Sequence, residues 1–242
     1  MMPNTSQPLN LKPLMAAYMI CTMTMMAFVS IIGPIARSLS LAPWQVGTVV
    51  TVGGVLWMLS SRPWGELSDR RGRRVVLLSG LVGFAIAYFM MSALLVYAMY
   101  YSLSVWLVFA GLLLTRGAVG ACYAAIPSAG QALVADHVIP EKRAAAIASL
   151  GAANGVGLVV GPAVAAMLAQ HSLELPLYVI AVLPVFAIGI MWKILPGKGP
   201  TPPQHLNPLK YQRYQITQTH GHRICCHVLR LYRADHGRFL CD

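Results

Sequence analysis

Six long apolar runs, separated by short polar or charged interruptions, organise the chain from about residue 13 to residue 196. They predict helices over 13–36, 45–67, 74–99, 104–134, 144–169 and 176–195. A helix that crosses a bilayer needs about 20 apolar residues, and each run meets or nearly meets that length. Charges fall between the runs, which is the pattern of spans and loops in a membrane protein. The first run has no basic start and no small-residue cleavage site, and its apolar part is too long for a signal peptide, so it reads as a retained span. The expected organisation is an N-terminal segment over 1–12, a six-helix transmembrane bundle over 13–196 and a basic polar tail over 197–242.

Composition agrees and removes the soluble classes. Of 242 residues, 57% are hydrophobic and only 10% are charged, against about 25% charged in a soluble domain. The mean hydropathy is +0.63. A net charge of +11 raises nucleic acid or anionic lipid as partners, but its distribution points to topology. Arg70, Arg71, Arg73 and Arg74 stand in the turn after the second run, Lys142 and Arg143 follow the fourth, and Lys193 and Lys198 sit at the end of the sixth. Lys12 precedes the first, whereas the opposite loops hold only Arg37. The positive-inside rule then places both termini and the two basic turns in the cytoplasm, in a multi-pass protein of a bacterial inner membrane. No nucleic-acid partner is expected; the lipid bilayer is.

The turn between the second and third runs is the most specific motif. It reads Gly65-Glu66-Leu67-Ser68-Asp69-Arg70-Arg71-Gly72-Arg73-Arg74. Gly65 removes a side chain where another helix can approach closely. Gly72 permits a backbone angle barred to other residues. Asp69 can fix the turn by pairing with one of four neighbouring arginines, or face the positive end of a nearby helix. The fourth run carries Arg116 deep in an apolar stretch, where a charge costs roughly 3 kcal/mol on insertion scales. It should face the bundle interior or a wet cavity. An arginine snorkelling to the interface is the plainer alternative, and a position some dozen residues into the helix argues against it. The fifth run reads Gly151-Ala152-Ala153-Asn154-Gly155-Val156-Gly157-Leu158-Val159-Val160-Gly161-Pro162. Its G-x-x-x-G spacings, 151/155 and 157/161, offer a smooth face for close helix packing, and Pro162 deletes a backbone hydrogen bond. Generic helix packing is the plainer alternative, since glycine is common in membrane spans.

These residues carry a resemblance. The pattern G-x-x-x-D-R-x-G-R-R at Gly65, Asp69, Arg70, Gly72, Arg73 and Arg74 resembles the signature loop of the major facilitator superfamily. Over residues 10–196 the chain is similar to one six-helix half of that family, a 3+3 inverted repeat, in the drug:proton antiporter branch that includes tetracycline exporters. Gly33-Pro34-Ile35-Ala36, closing the first helix, and the stretch from Asp136 to Arg143 with Pro140 are similar to family features as well. The resemblance implies a latch between two halves at Asp69, a link to proton coupling at Arg116, and an antiporter motif at Gly151, Asn154, Gly155, Gly157, Gly161 and Pro162. Two departures matter. Ala165 and Ala166 stand where the family pattern has glycines, and the first helix has no Asp or Glu, so the proton-carrying acid is unassigned. The implied partners are a small-molecule substrate, protons and a C-terminal half of the transporter that this chain lacks.

No enzyme signature competes: there is no phosphate-binding loop, zinc-protease helix or nucleophile elbow, and no cofactor is expected. His220, His222, Cys225, Cys226 and His227 fit no standard zinc spacing, so no metal site is assigned. The tail holds five of the seven histidines and three of the five cysteines. It reads as disordered or out of frame, because a one-nucleotide shift permits an apolar string over 220–241. Three functions follow: a proton-coupled exporter of small amphipathic compounds, a truncated non-transporting fragment of one, or a half-transporter that dimerises. The lone bundle is expected to leave Arg116 facing lipid.

Overall fold

The structure, a computed structural model, describes residues 11–101 and 103–194, and apart from short connections these are α-helical. The helices are α1 (Leu11–Ser38), α2 (Pro43–Arg71), α3 (Arg73–Tyr100), α4 (Val105–Tyr123), α5 (Ala125–His137), α6 (Pro140–Ala169) and α7 (Leu175–Ile194). Since α4 and α5 together form one span, Val105–His137, six spans result, as the apolar runs require. Five of them are long and apolar enough to cross a membrane. The exception is α2, where Gln45, Gly53, Gly54, Ser60, Ser61 and Arg62 dilute the Val and Leu positions. The expected tail over 197–242, with its His and Cys residues, lies outside the described residues.

Helices run further than the apolar pattern suggests. Only Gly72 separates α2 from α3, so Arg70 and Arg71 end one helix while Arg73 and Arg74 begin the next. Lys142 and Arg143 likewise sit in the first turn of α6 rather than in a loop, and α1 continues past Pro34 to Ser38. At 1.5 Å per residue the 28 residues of α1 reach about 42 Å, against a hydrocarbon thickness of about 30 Å. The outer turns therefore stand among headgroups and water, where helix and charge are compatible. At the end opposite the arginine turn the helices carry aromatic residues. Trp44, Trp106 and Phe109 form a cluster with centroids 5.5–6.2 Å apart, and Tyr97 stacks on Tyr101 at 4.5 Å. Such amphipathic rings suit the headgroup level.

The packing repeats itself. The first span, α1, packs chiefly on α6 and α7; α2 packs on α4; α3 packs on α4 and α7. Exchanging the first three spans with the last three maps α1·α6 onto α2·α4 and α1·α7 onto α3·α4, and leaves α3·α7 unchanged. This is the signature of two related three-helix units. Glycine serves both matched seams. A side chain on Gly120 of α4 would overlap the backbone of Gly53 in α2. A side chain on Gly161 of α6 would overlap the backbone of Met23 in α1, and one on Gly157 would come within 2.6 Å of the Met19 carbonyl. The core between the seams is aromatic: Phe84 and Tyr88 lie 5.2 Å apart, Phe28 meets Tyr88 edge-on at 6.5 Å, and the Tyr88 hydroxyl donates to the Thr24 carbonyl at 2.7 Å.

The fourth span is interrupted at Ala124. Pro127 has no N–H, so the Tyr123 carbonyl loses its helical donor. Side chains brace the junction. Ser128 Oγ donates to the Ala124 carbonyl at 2.7 Å and lies 3.3 Å from the Ser61 carbonyl of α2. The Tyr18 hydroxyl of α1 reaches the carbonyls of Ile126 and Pro127, each at 3.1 Å.

Candidate functional site

The signature turn is built as its residues require. Gly72 has φ +92°, in the region that a side chain disfavours. Its N–H donates to the Ser68 carbonyl at 3.1 Å. Asp69 pairs with Arg73. That guanidinium also donates to Asp136 at 2.9 Å, near the end of α5, and to Ser68 Oγ at 3.2 Å. One arginine thus ties the ends of α2, α3 and α5 together. Arg70 and Arg71 are exposed, and Asp69 remains 64% exposed in spite of its partner. Nothing among the described residues comes within 4 Å of the place a side chain on Gly65 would occupy, so the approach this glycine permits is open.

Arg116 is 2% exposed, sealed between α1, α2 and α4. Its Nη1 lies 2.9 Å from the Met25 sulfur and its guanidinium carbon sits 5.3 Å from the centre of the Phe28 ring. A ring face attracts a cation and a thioether accepts weakly, but neither neutralises the charge. Nε has no hydrogen-bond partner, and no carboxylate pairs with Arg116 among the described residues. Gly53 makes the room, since a side chain there would lie 3.2 Å from the guanidinium. This corrects one expectation: the lone bundle does not turn Arg116 toward lipid. Side chains of its own helices enclose it, so two copies cannot place two such groups across a shared cavity.

The glycines of α6 divide by face. Gly157 and Gly161 fit against α1, whereas nothing described approaches Gly151 or Gly155 within 4 Å. The helix continues unbroken through Pro162 to Ala169. Between the two pairs Asn154 makes a contact that no motif announces. Thr22 of α1 donates to Asn154 Oδ1, and Thr22 Oγ1 lies 3.0 Å from the hydroxyl of Tyr123 at the end of α4. The signals for it in the sequence are faint: a Thr and a Tyr inside apolar runs, and Pro127 four residues beyond Tyr123.

The family model of the Major Facilitator Superfamily matches residues 14–230. The chain belongs to that superfamily. Within it, the chain is 34% identical over 139 residues to the class C tetracycline resistance protein of Escherichia coli, covering 57% of this chain and 31% of that protein. It is 31% identical over 135 residues to the class B protein of the same organism, covering 54% and 30%. Similarity extends to the multidrug resistance protein MdtG of Salmonella typhi, 29% over 125 residues, covering 52% and 28%. The match spans about a third of the length of these relatives. A superfamily of transporters and a bundle of apolar spans make this a multi-pass membrane protein of the transporter kind rather than an enzyme.

Proposed function

We propose that the chain is the N-terminal bundle of a proton-coupled exporter of small amphipathic compounds, set in the bacterial inner membrane with both termini in the cytoplasm. The observation that carries the reading is Arg116, a cation at mid-span with no counter-charge among the described residues of its bundle. A residue so costly inside a membrane is kept for function. Its field supplies one. At about 10 Å and an effective dielectric of about 20, a unit charge is worth roughly 1.7 kcal/mol to a neighbouring acid, or a little over one pKa unit. An acid in the central cavity would be held poised to release its proton when substrate enters. No described helix interior supplies that acid, so a second bundle does.

The exposed faces support a second bundle. On α3 and α7 they carry large groups such as Ile86, Phe89, Val185 and Phe186, which suit lipid. α2 and α6 also expose large groups such as Met58, Leu59 and Val159, but each carries beside them a face of small residues, Gly47, Thr51 and Gly54 on α2 and Ala148, Gly151 and Ala152 on α6, that lets another helix come close. Asp69 and Gly65 stand at the cytoplasmic end of the same α2 and would form the latch. The relatives are named for resistance to tetracycline and to multiple drugs, and compounds of that kind are the proposed cargo. The proposal takes the tail over 197–242 as out of frame, so the test restores the reading frame after the sixth span and expresses the product in cells lacking their own exporters. Tetracycline and amphipathic dyes should accumulate less, and an uncoupler should abolish the difference. Accumulation equal to that of empty cells, with the protein in the membrane, would sink the proposal.

A further inference from the structure

We infer that the centre of the bundle holds a binding site for a flat, uncharged aromatic ligand, built by Thr22, Trp57, Tyr123 and Asn154. The inference rests on the exporter reading for the ligand's being cargo, though not for the binding itself.

Depth is the first argument. Trp57 falls midway along α2 and Asn154 midway along α6. Tyr123 and Thr22 each lie within one turn of the middle of their spans. Four side chains from four helices therefore meet at one level, the bilayer midplane. Polar groups are costly there, and it is the level at which transporters hold what they carry. The second argument is the behaviour of Thr22. Thr24, Thr48, Thr51 and Thr115 each donate to the carbonyl four residues back, the inexpensive solution for a hydroxyl in a membrane helix. Thr22 instead reaches across to Asn154 of α6 and meets Tyr123 of α4. Only one end of the Asn154 amide is used by these contacts. The other has no hydrogen-bond partner among the described residues, whichever way the amide is turned. Gly155, next to Asn154, has open space where a side chain would stand.

The walls and backbone complete the site. Trp57, 42% exposed, lies 6.5 Å from the Tyr123 ring, which in turn lies 5.8 Å from Phe84. These rings offer faces to a planar molecule. The span breaks directly after Tyr123, and Pro127 leaves the Tyr123 carbonyl without its helical donor. Backbone freed at this depth is tolerated where it is buried in protein or lines a cavity. None of the four side chains is ionised, and the nearest cation on α4, Arg116, is sealed by Met25 and Phe28. The ligand therefore presents a ring system bearing neutral carbonyl, amide, sulfonamide or hydroxyl groups.

The probe is dansyl amide, a neutral two-ring sulfonamide that accepts excitation energy from tryptophan. It is titrated into the 242-residue chain in lipid nanodiscs, with empty nanodiscs subtracted. Saturable energy transfer is expected. Asn154→Leu and Tyr123→Phe should each weaken apparent affinity about three- to tenfold, the effect of one hydrogen bond. Trp57→Leu should do the same by removing a ring face, and because Trp57 is exposed this variant leaves the core intact, as circular dichroism would verify. No saturable signal, or affinity unchanged in both Trp57→Leu and Asn154→Leu, would overturn the site. A quaternary ammonium dye bound as tightly and with the same dependence would overturn the assignment to neutral ligands. Binding that depends on these residues in a frame-restored protein without efflux would support the site and count against export.

Discussion

Four glycines on one helix separate fold from function in α6. Alanine at Gly157 puts a carbon 2.6 Å from the Met19 carbonyl and 3.1 Å from both the Met23 nitrogen and the Thr22 side chain. An ordinary contact begins near 3.4 Å, so α1 must retreat by roughly 0.8 Å, a displacement that overpacked cores resist at about 1–3 kcal/mol. Gly161 confronts the Met23 backbone more closely still. Backbone cannot rotate away as a side-chain tip can. Alanine also gains about 0.8–1 kcal/mol over glycine in helix propensity, which offsets part of the clash and all of nothing at an open position. Gly157→Ala and Gly161→Ala should therefore destabilise the bundle by up to about 2 kcal/mol, with Gly161→Ala the larger. Gly151→Ala and Gly155→Ala, with open space around them, should be neutral or stabilising by up to about 1 kcal/mol. The assay is denaturant unfolding of each variant in one detergent, followed by circular dichroism. In the frame-restored protein the order should reverse for function, with Gly151→Leu impairing efflux while the protein stays folded, because the proposal sets that face against the second bundle. Equal destabilisation at all four positions, or loss confined to 151 and 155, would refute the division.

Three further outcomes are expected. Reporter fusions after residues 72, 140 and 198 should read cytoplasmic, and those near 40, 102 and 172 external; a cytoplasmic signal at 40 with an external one at 72 would invert the topology. Asp69→Asn in the frame-restored protein should reduce export at equal membrane abundance, and Arg73→Gln should also lower bundle stability by about 1 kcal/mol, since it releases two carboxylates at a partly buried position. Removing the cation at Arg116 raises the proton affinity of a nearby acid, so the pH profile of residual exchange in Arg116→Gln should move up by about one unit; a profile in its original place would remove the electrostatic role.

Much of this architecture is legible in the apolar runs, because a bilayer demands length and hydrophobicity from every span. The turn at Gly72 was readable for a local reason: its positive φ and the Asp69–Arg73 pair lie within five residues of sequence. The expectations that needed adjustment concern ends and distance. Apolarity stops where the hydrocarbon stops, whereas the helix continues, so Lys142 and Arg143 belong to α6 rather than to a turn. Arg73 meets Asp136 across 63 positions, and Thr22 meets Asn154 across 132; no periodicity records such pairings. Pro127, in the midst of the run over 104–134, was a signal for the break at Ala124, but a proline alone does not say whether a membrane helix bends or opens. Arg116 was expected to face the bundle interior or a wet cavity, and lipid where the bundle stands alone; it lies in the interior, 2% exposed. The structure shows how a bundle encloses one instead, with an aromatic ring, a thioether and the vacancy of Gly53.

Export by proton exchange is tested most directly by substrate-driven proton movement. Everted membrane vesicles carrying the frame-restored protein are acidified inside by respiration, and a dye reports the gradient while tetracycline is added. The account predicts that substrate dissipates the gradient in a dose-dependent way, that residues 1–242 alone give no response, and that Arg116→Gln shifts or abolishes it. A gradient indifferent to substrate in the frame-restored protein would contradict the proposed exchange, and a substrate response from residues 1–242 alone would contradict the need for a second bundle and favour a dimer of halves.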